Sequence, residues 1–137
     1  MILVDTGVVF GAADADDPRH SDCAGLLDSL IDTPLGVTVP VVVESAWLIE
    51  SRLGAAAQAS FLRSLTAGEI ERLDLTETDW ARVVELIERY TDLGLGVVDA
   101  SVVAVAERLG VTQIATLDRR HFTAVRPSHI PSFELLP

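Results

Sequence analysis

The sequence has 137 residues and contains no lysine, which excludes several classes of enzyme. A phosphate-binding loop ending in Gly-Lys, a Schiff-base enzyme and a hydrolase with a Ser-x-x-Lys motif all require a lysine amine. All ten basic residues are therefore arginines, and asparagine is absent as well. Codon bias in a GC-rich genome accounts for both absences, but the functional exclusion holds whatever their origin.

Cysteine and long apolar segments are also scarce. Cys23 is the only cysteine, so an intramolecular disulfide and a cysteine-based zinc site are both excluded. The longest uncharged run extends from Thr33 to Val43 and is shorter than the ~18–20 residues of a membrane span. The segment Met1–Val4 has no basic residue, and Asp5 follows it directly, unlike a signal peptide. We therefore expect a cytoplasmic protein that does not enter a membrane.

Positive charge is in deficit, because 21 acidic residues oppose 10 basic ones and give a formal net charge of −11. Passive nucleic-acid-binding modules gain affinity from Lys and Arg, so this charge argues against that class. It is compatible with a basic partner, with bound metal cations or with simple solubility. The positions of the acidic residues must decide between these three explanations.

Apolar runs typical of strands alternate with segments of helical periodicity, which predicts one α/β domain over residues 1–137 with a mostly parallel sheet. The predicted strands are Met1–Asp5, Gly36–Val39, Glu69–Leu75, Val111–Leu117 and, at an edge, Phe133–Leu136. The predicted helices follow Thr6-Gly7, follow Pro18, and cover Pro40–Leu53, Ala55–Leu65, Thr76–Tyr90 and Asp99–Leu109. We expect Trp47, Trp80 and Tyr90 to be packing residues.

Four acidic residues interrupt apolar runs, whereas the other acids fall in loops, at helix caps or on polar helix faces. These four are Asp5, Glu44, Asp99 and Asp118. A carboxylate that is desolvated by such neighbours is costly unless a cation, hydrogen-bond donors or a proton satisfies it. Each has a purely structural alternative, since a strand-end Asp can cap a turn and Asp99 can cap a helix. Four together favour one shared site.

The predicted topology allows these carboxylates to meet at one edge of the sheet. Asp5 and Asp118 follow strands, Glu44 lies one turn inside a helix, and Asp99 lies in the first turn of another. With no second cysteine and no histidine at a ligand spacing, we expect an oxygen-only site that selects Mg²⁺ or Mn²⁺ over Zn²⁺. The residues thus indicate metal-dependent phosphodiester or phosphoryl chemistry.

Four segments resemble the PIN domain, most closely the VapC-type toxins of bacterial toxin–antitoxin systems. They are Val4-Asp5-Thr6, Glu44, Asp99-Ala100-Ser101 and Thr116-Leu117-Asp118-Arg119-Arg120-His121-Phe122. The resemblance implies a three-layer α/β/α fold with four or five strands. It also implies a Mg²⁺- or Mn²⁺-dependent endoribonuclease that hydrolyses RNA with a metal-activated water.

The resemblance further implies roles for particular residues and partners. Asp5, Glu44, Asp99 and Asp118 would be catalytic metal ligands, and the hydroxyls of Thr6, Ser101 and Thr116 would orient carboxylates or water. The protein would form a homodimer, and the C-terminal segment of a cognate antitoxin would lie across the active groove. The acidic charge of the chain suggests that this antitoxin segment is basic.

Two positions depart from the PIN pattern. Gly7 stands where relatives usually have Ser or Asn, and His121 stands where many relatives have a further acid. We expect His121 to be a partly buried, hydrogen-bonded histidine outside the catalytic set. Arg119 and Arg120 either contact RNA phosphates or remain solvated, and the sequence favours neither reading.

Two other functions remain open at this point. The chain could be a non-catalytic PIN-like module whose acidic groove docks a basic partner, or an RNA-processing PIN nuclease without an antitoxin. Other classes with acidic sites fit less well. A receiver domain needs a lysine, and a haloacid-dehalogenase-type phosphatase needs Asp-x-Asp where this chain has Asp5-Thr6-Gly7.

Overall fold

The computed structural model describes residues 1–137 and confirms the predicted alternation of strands and helices. The strands are β1 (Ile2–Val4), β2 (Leu35–Thr38), β3 (Glu71–Leu73), β4 (Gln113–Ala115) and β5 (Glu134–Leu136). The helices are α1 (Thr6–Ala13), α2 (His20–Ser29), α3 (Val39–Leu53), α4 (Ala55–Thr66), α5 (Glu77–Arg89), α6 (Val97–Leu109) and α7 (Arg119–Ala124). Helices cover both faces of the five-stranded sheet, which gives the expected three-layer α/β/α architecture.

All five strands are parallel and follow the order β3-β2-β1-β4-β5. The chain leaves the central strand β1 toward β2 and β3, and later returns to the other side of β1 for β4 and β5. The order therefore reverses between β1 and β4, where parallel α/β sheets form a crevice at the carboxyl ends of their strands. Leu3 pairs with Ile114 and Val4 with Ala115, so the residues after β1 and β4 lie side by side.

The strands read as continuous apolar runs because both faces of the sheet are covered. All three residues of β1 are buried, and so are the seven consecutive residues Ala100–Ala106 of α6. α6 packs against α5, while α3 contacts α1, α4 and α6. α6 and α3 are thereby fixed beside the crevice, and these are the helices that carry Asp99 and Glu44.

Helix capping follows the sequence signals closely. Thr76 and Asp79, spaced as in a capping box, form one at the start of α5, and Gly110 ends α6 with φ of 68°, a conformation that suits glycine. Asp79 is not solvated as expected, however, because its carboxylate is buried and lies 2.8 Å from Nε of Arg108. The capping residue thus also forms an ion pair between α5 and α6.

The expectation that both tryptophans belong to the core is wrong. Trp47 is 64% exposed and Trp80 is 43% exposed. The buried residues of α3 lie at other helical positions, so Trp47 faces solvent. Together with neighbouring apolar side chains these two form a surface that we call the tryptophan face, which consists of Val39, Pro40, Val43, Trp47, Trp80, Val97 and Val98.

Two further differences concern short segments. α7 was not predicted, and α2 begins at His20 and ends at Ser29, which leaves Ile31 exposed beyond the helix. A helix of six residues is too short to show a convincing apolar period in a sequence. None of the helices combines the length and the hydropathy that crossing a bilayer requires.

Candidate active site

A cleft of about 650 Å³ opens at the crevice between β1 and β4 and brings together the four acids that interrupt apolar runs. Its lining residues are Asp5, Thr6, Gly7, Glu44, Leu48, Asp99, Leu117 and Asp118. They come from the starts of α1 and α6, from α3, and from the connection between β4 and α7. Residues up to 113 positions apart in sequence therefore share one surface.

Asp5 is the most deeply buried of the four acids and caps α1. Its Oδ1 accepts a hydrogen bond of 2.8 Å from the backbone N–H of Thr6, and its Oδ2 accepts one of 2.9 Å from Oγ1 of Thr116. Burial raises the pKa of Asp5 to about 6, and the negative charges of Asp99 and Glu44 act in the same direction. The two hydrogen bonds only partly compensate for the loss of water.

One carboxylate oxygen of Asp118 caps α7, and the other lies beside His121. Its Oδ1 accepts hydrogen bonds from the backbone N–H groups of Arg120 and His121, at 3.1 and 3.3 Å. Its own N–H donates to Oγ1 of Thr116 over 3.0 Å. Oδ2 lies 3.2 Å from Nδ1 of His121. Thr116 therefore fixes Asp5 and Asp118 relative to each other through a single hydroxyl.

Asp99 is the third residue of α6 and lies close to His121. Its Oδ2 is 2.5 Å from Nδ1 of that histidine, and the two side chains are 18% and 16% exposed. Burial raises the pKa of Asp99; the hydrogen bond from His121 opposes this change, while Asp118 and Glu44 reinforce it. The net rise shows that the histidine and the helix N-terminus do not fully offset burial and repulsion.

Glu44 differs from the other three, because the residue is exposed. Our expectation that all four acids are desolvated is therefore wrong for Glu44, and Asp118 is also substantially accessible, with 42% of its side chain exposed. Glu44 lies between the cleft and the tryptophan face and contributes to the lining of both. Its position at the rim keeps its carboxylate hydrated while its charge still acts on Asp5 and Asp99.

His121 is partly buried and paired, as expected, but its partners are two of the four acids. Potential ligand atoms of Asp99, Asp118 and His121 all lie within 4.8 Å of one another. An imidazole nitrogen thus lies among the carboxylates, where the sequence led us to expect oxygen ligands alone. The sequence held one signal, because residues three apart on a helical turn share a face. That signal depends on α7, which was not predicted.

The three candidate hydroxyls have different surroundings. Thr116 contacts Asp5 as predicted, and Thr6 lines the cleft with a buried Oγ1 that has no hydrogen-bond partner. Ser101 contacts no carboxylate. Its Oγ donates to the carbonyl of Val98 over 2.6 Å and lies 2.7 Å from Oγ1 of Thr38, the capping residue of α3. Ser101 thus joins α6 to the start of α3.

The two arginines that follow Asp118 are exposed on α7. The guanidinium of Arg119 donates to the carbonyl of Pro137, whereas Arg120 forms no ion pair. Gly7 lines the cleft, and a Cβ there would lie 3.5 Å from Leu117, an ordinary contact distance. The absence of a polar side chain at position 7 is therefore not imposed by lack of space.

The donors around the cleft fit a divalent cation. No arginine forms an ion pair with any of the four acids, so His121 is their only basic partner at that distance. Closely spaced carboxylates with raised pKa values, together with the unpartnered hydroxyl of Thr6, are suited to a hard cation such as Mg²⁺ or Mn²⁺. The site thus offers ligands for a cation, since no arginine of the chain neutralises its carboxylates.

Comparisons with known proteins show the family to which the chain belongs. Residues 2–126 match the PIN domain family. Ribonuclease VapC26 of Mycobacterium tuberculosis is 32% identical over 136 residues, which are 99% of this chain and 100% of that protein.

Solved structures support the fold independently. The crystal structure of VapC20 from Mycobacterium tuberculosis, a sarcin-ricin loop cleaving toxin, superposes with a TM-score of 0.82 at 19% identity, covering 95% of this chain and 98% of that one. VapBC2 from Rickettsia felis, bound to a DNA fragment from its promoter, gives a TM-score of 0.72 at 16% identity with full coverage of both chains. The chain therefore belongs to the PIN domain family, and within it to the VapC type.

Proposed function

We propose that this protein is a Mg²⁺- or Mn²⁺-dependent endoribonuclease that acts as the toxin of a toxin–antitoxin pair. The observation that carries the proposal is the convergence of Asp5, Glu44, Asp99 and Asp118 on one cleft at the carboxyl edge of a parallel sheet. The name of the relative VapC26, a ribonuclease, supports the same activity. Because an RNA-cleaving toxin meets its substrate where RNA is translated, we expect it to act in the cytoplasm.

The chain's own residues divide the work of holding a cation. Asp99 and Asp118 supply carboxylate oxygens, while Asp5 supplies a carboxylate whose orientation is fixed by Thr116 and by the N–H of Thr6. The hydrated carboxylate of Glu44 lies at the rim, where it can hold the ion through water. Three helix N-termini point toward this edge and lower the cost of gathering negative charge there.

The reaction we propose is hydrolysis of an RNA phosphodiester. When bound, Mg²⁺ or Mn²⁺ lowers the pKa of a water and offsets the negative charge that develops on the phosphate. Asp5, Asp99 and Asp118 would hold the cation beside the phosphate, and the hydrogen bonds from Thr116 and from the N–H of Thr6 keep Asp5 in position. The cleft, with a volume of about 650 Å³, has room for a backbone phosphate beside these carboxylates.

RNA binding must overcome the net charge of −11. Arg120 has no ion-pair partner and projects from the short helix that Asp118 caps, so it is available to a phosphate next to the scissile one. Arg119 becomes available once it leaves the carbonyl of Pro137. With so few basic groups near the cleft, we expect modest RNA affinity that decreases further when divalent cations are removed.

The same negative charge suits the antitoxin that we propose as partner. A basic C-terminal segment of an antitoxin would be attracted to the cleft, where an Arg or Lys could pair with Asp99 and Asp118. The cation and the basic side chain would then compete for the same carboxylates. This competition explains how one segment could both bind the toxin and inhibit it.

We also propose that the protein forms a homodimer through the tryptophan face. Both tryptophans of the chain lie on this face, and Glu44 at its margin is its only charged lining residue. For a chain with a charge of −11, self-association is least opposed where the surface carries little charge. Trp47→Glu should give a monomer in light scattering, whereas Ile31→Glu, at an exposed apolar residue outside this face, should leave the dimer intact. A monomeric wild-type protein would refute this assembly.

The central test is to sequence RNA 5′ ends after brief expression of the wild type and of Asp118→Asn. The wild type should arrest growth and produce new RNA ends at defined positions, and the variant should do neither. The purified wild type should bind Mn²⁺ and cut the same RNA at the same positions, whereas purified Asp118→Asn should bind Mn²⁺ more weakly and leave that RNA intact. If Asp118→Asn cuts RNA as the wild type does, the proposed site is wrong. If neither protein cuts RNA, the cleft is a docking site for a basic partner.

A further inference from the structure

The imidazole of His121 occupies an unusual place for a supporting residue. Its Nδ1 lies 2.5 Å from Oδ2 of Asp99 and 3.2 Å from Oδ2 of Asp118. Oδ1 of Asp118 accepts the N–H groups that cap α7, so Oδ2 is the oxygen of Asp118 that lies near the ring. A single nitrogen therefore lies between two carboxylates that are not otherwise paired with any basic side chain.

The spacing of these three atoms allows them to share one ion after small side-chain shifts, since all of them lie within 4.8 Å of one another. Two ligand atoms that each lie about 2.1 Å from a cation cannot be more than about 4 Å apart, and both measured separations are shorter. A helix start holds this arrangement on one side, since His121 lies one turn after Asp118 on α7. On the other side Asp99 is held by α6, whose following seven residues are buried. The protein thus holds the three ligand atoms close together before any ion binds.

An independent observation indicates that the same cleft takes a ligand. Oγ1 of Thr6 is buried, Thr6 is only 5% exposed, and this hydroxyl has no hydrogen-bond partner although it lines the cleft. Leaving such a group unpaired costs free energy unless a bound water or ligand completes its hydrogen bonding. The cleft therefore contains a buried hydroxyl whose hydrogen bonding the protein itself does not complete.

From this geometry we infer that His121 binds the cation directly through Nδ1, so that the site combines nitrogen and oxygen ligands and prefers Mn²⁺ to Mg²⁺. The inference rests on the proposed metal-dependent function and deepens it. Mg²⁺ is held almost entirely by oxygen ligands, whereas transition-metal ions accept imidazole readily. An imidazole among carboxylates should therefore strengthen Mn²⁺ binding more than Mg²⁺ binding.

The same distances are compatible with another role for His121, which metal-binding measurements would distinguish. The ring could act only as a positive counter-ion for Asp99 and Asp118, in which case a bound cation would displace it. Removing the ring would then leave the preference between Mn²⁺ and Mg²⁺ unchanged. Direct ligation instead places a nitrogen nucleus next to the electron spin of Mn²⁺, which spectroscopy detects without any assay of activity.

The experiment is electron spin echo envelope modulation on the full-length protein loaded with one equivalent of Mn²⁺. The wild type should show modulation from a directly bound ¹⁴N, which should disappear in His121→Gln and in His121→Ala. His20→Gln and His129→Gln should retain it, because those rings bond to the carbonyls of Gly11 and Val111, away from the cleft. Thermal melts of the metal-free variants check that each is folded.

Calorimetric titrations provide the second measurement. His121→Gln should weaken Mn²⁺ binding at least tenfold and change Mg²⁺ binding less than threefold. A wild-type spectrum without ¹⁴N modulation, or an equal loss of affinity for both ions, would overturn the inference while leaving a metal-dependent enzyme. Failure of the wild type to bind Mn²⁺ at all would overturn both the inference and the metal dependence on which it rests.

Discussion

Partly buried acids occur in two regions of this molecule, and the chain treats them in opposite ways. Where α5 meets α6, in what we call the α5–α6 seam, Arg82 binds Glu107 through two hydrogen bonds of 2.8 and 3.0 Å, and Arg108 pairs with Asp79. Burial alone would raise the pKa of Glu107, but the hydrogen bonds from Arg82 and Ser128 bring it below its ordinary value. In the cleft the pKa values of Asp5 and Asp99 rise instead.

The contrast shows that the sequence has arginines with which to neutralise buried acids and does not place them at the cleft. In the seam, the ion pairs join α5 to α6 and so have a structural role. The cleft keeps its carboxylates close together with one histidine as their only basic partner, which reduces the stability of the metal-free fold. Such an arrangement is expected where a cation from solution completes the site.

The largest effect is expected from a substitution that disrupts the cleft and leaves the α5–α6 seam intact. Asp99→Asn should weaken Mn²⁺ binding at least 100-fold and abolish RNA cleavage, because it removes a charge from the centre of the carboxylate group. Calorimetry and cleavage of a labelled RNA measure both effects. Asp79→Asn, at a more deeply buried acid in the seam, is the control and should leave Mn²⁺ affinity within threefold. Unchanged Mn²⁺ affinity in Asp99→Asn would contradict the account.

The seam can be broken in turn. Arg82→Met should lower the free energy of unfolding by about 2–3 kcal/mol, because it leaves the carboxylate of Glu107, only 9% exposed, without its charge partner. Urea denaturation measures this loss. Mn²⁺ affinity should stay within twofold of the wild type, since Arg82 does not line the cleft. A loss of metal binding at native stability would show that the two regions are not independent.

The two regions should also respond to pH in different windows. The pKa of Asp5 rises from 3.8 to about 6 on folding, so its charged form costs the metal-free fold up to about 3 kcal/mol above pH 6. This penalty is absent below pH 4 and grows as the pH rises to 6. The lowered pKa of Glu107 stabilises the fold above pH 4.5, and that contribution disappears as the pH falls through its folded value.

Urea denaturation with EDTA at several pH values tests this difference. Asp5→Asn should match the wild type below pH 4 and exceed its unfolding free energy at pH 7.5. Mn²⁺ affinity of the wild type should fall up to tenfold per pH unit below pH 6, because a proton competes with the ion for Asp5. An Asp5→Asn variant less stable than the wild type at pH 7.5 would contradict the assignment of strain to this carboxylate.

The smallest expected effect compares two buried hydroxyls. Thr116→Val should weaken Mn²⁺ binding about tenfold, because it removes the donor to Asp5 and the acceptor for the N–H of Asp118. Ser101→Ala should cost about 1 kcal/mol of stability and change Mn²⁺ affinity less than threefold, since Ser101 contacts only Thr38 and Val98. Equal effects of both changes on binding would argue against a positioning role for Thr116.

The sequence was sufficient for the architecture because each strand of a covered parallel sheet is an apolar run with a distinct end. Asp5 and Asp118 mark the ends of β1 and β4, so the meeting of these residues follows from topology. The helix caps at Thr76 and Gly110 can also be recognised from the sequence, since capping depends on a few neighbouring residues.

Features that depend on side-chain direction were not predictable in the same way. Helical spacing alone does not distinguish a face that packs on the sheet from one left on the surface, and Trp47 was therefore placed in the core. The role of His121 depends on a six-residue helix and on the side-chain position of Asp99, 22 residues earlier. Burial of Asp79 likewise depends on Arg108, from a helix that follows it by 18 residues or more.

The most direct test of the central claim is anomalous diffraction from crystals soaked in Mn²⁺. The account predicts a strong anomalous peak in the cleft, within bonding distance of carboxylate oxygens of Asp99 and Asp118. A cleft without a peak at saturating Mn²⁺, or a peak only elsewhere on the surface, would contradict the claim that these acids form a cation site.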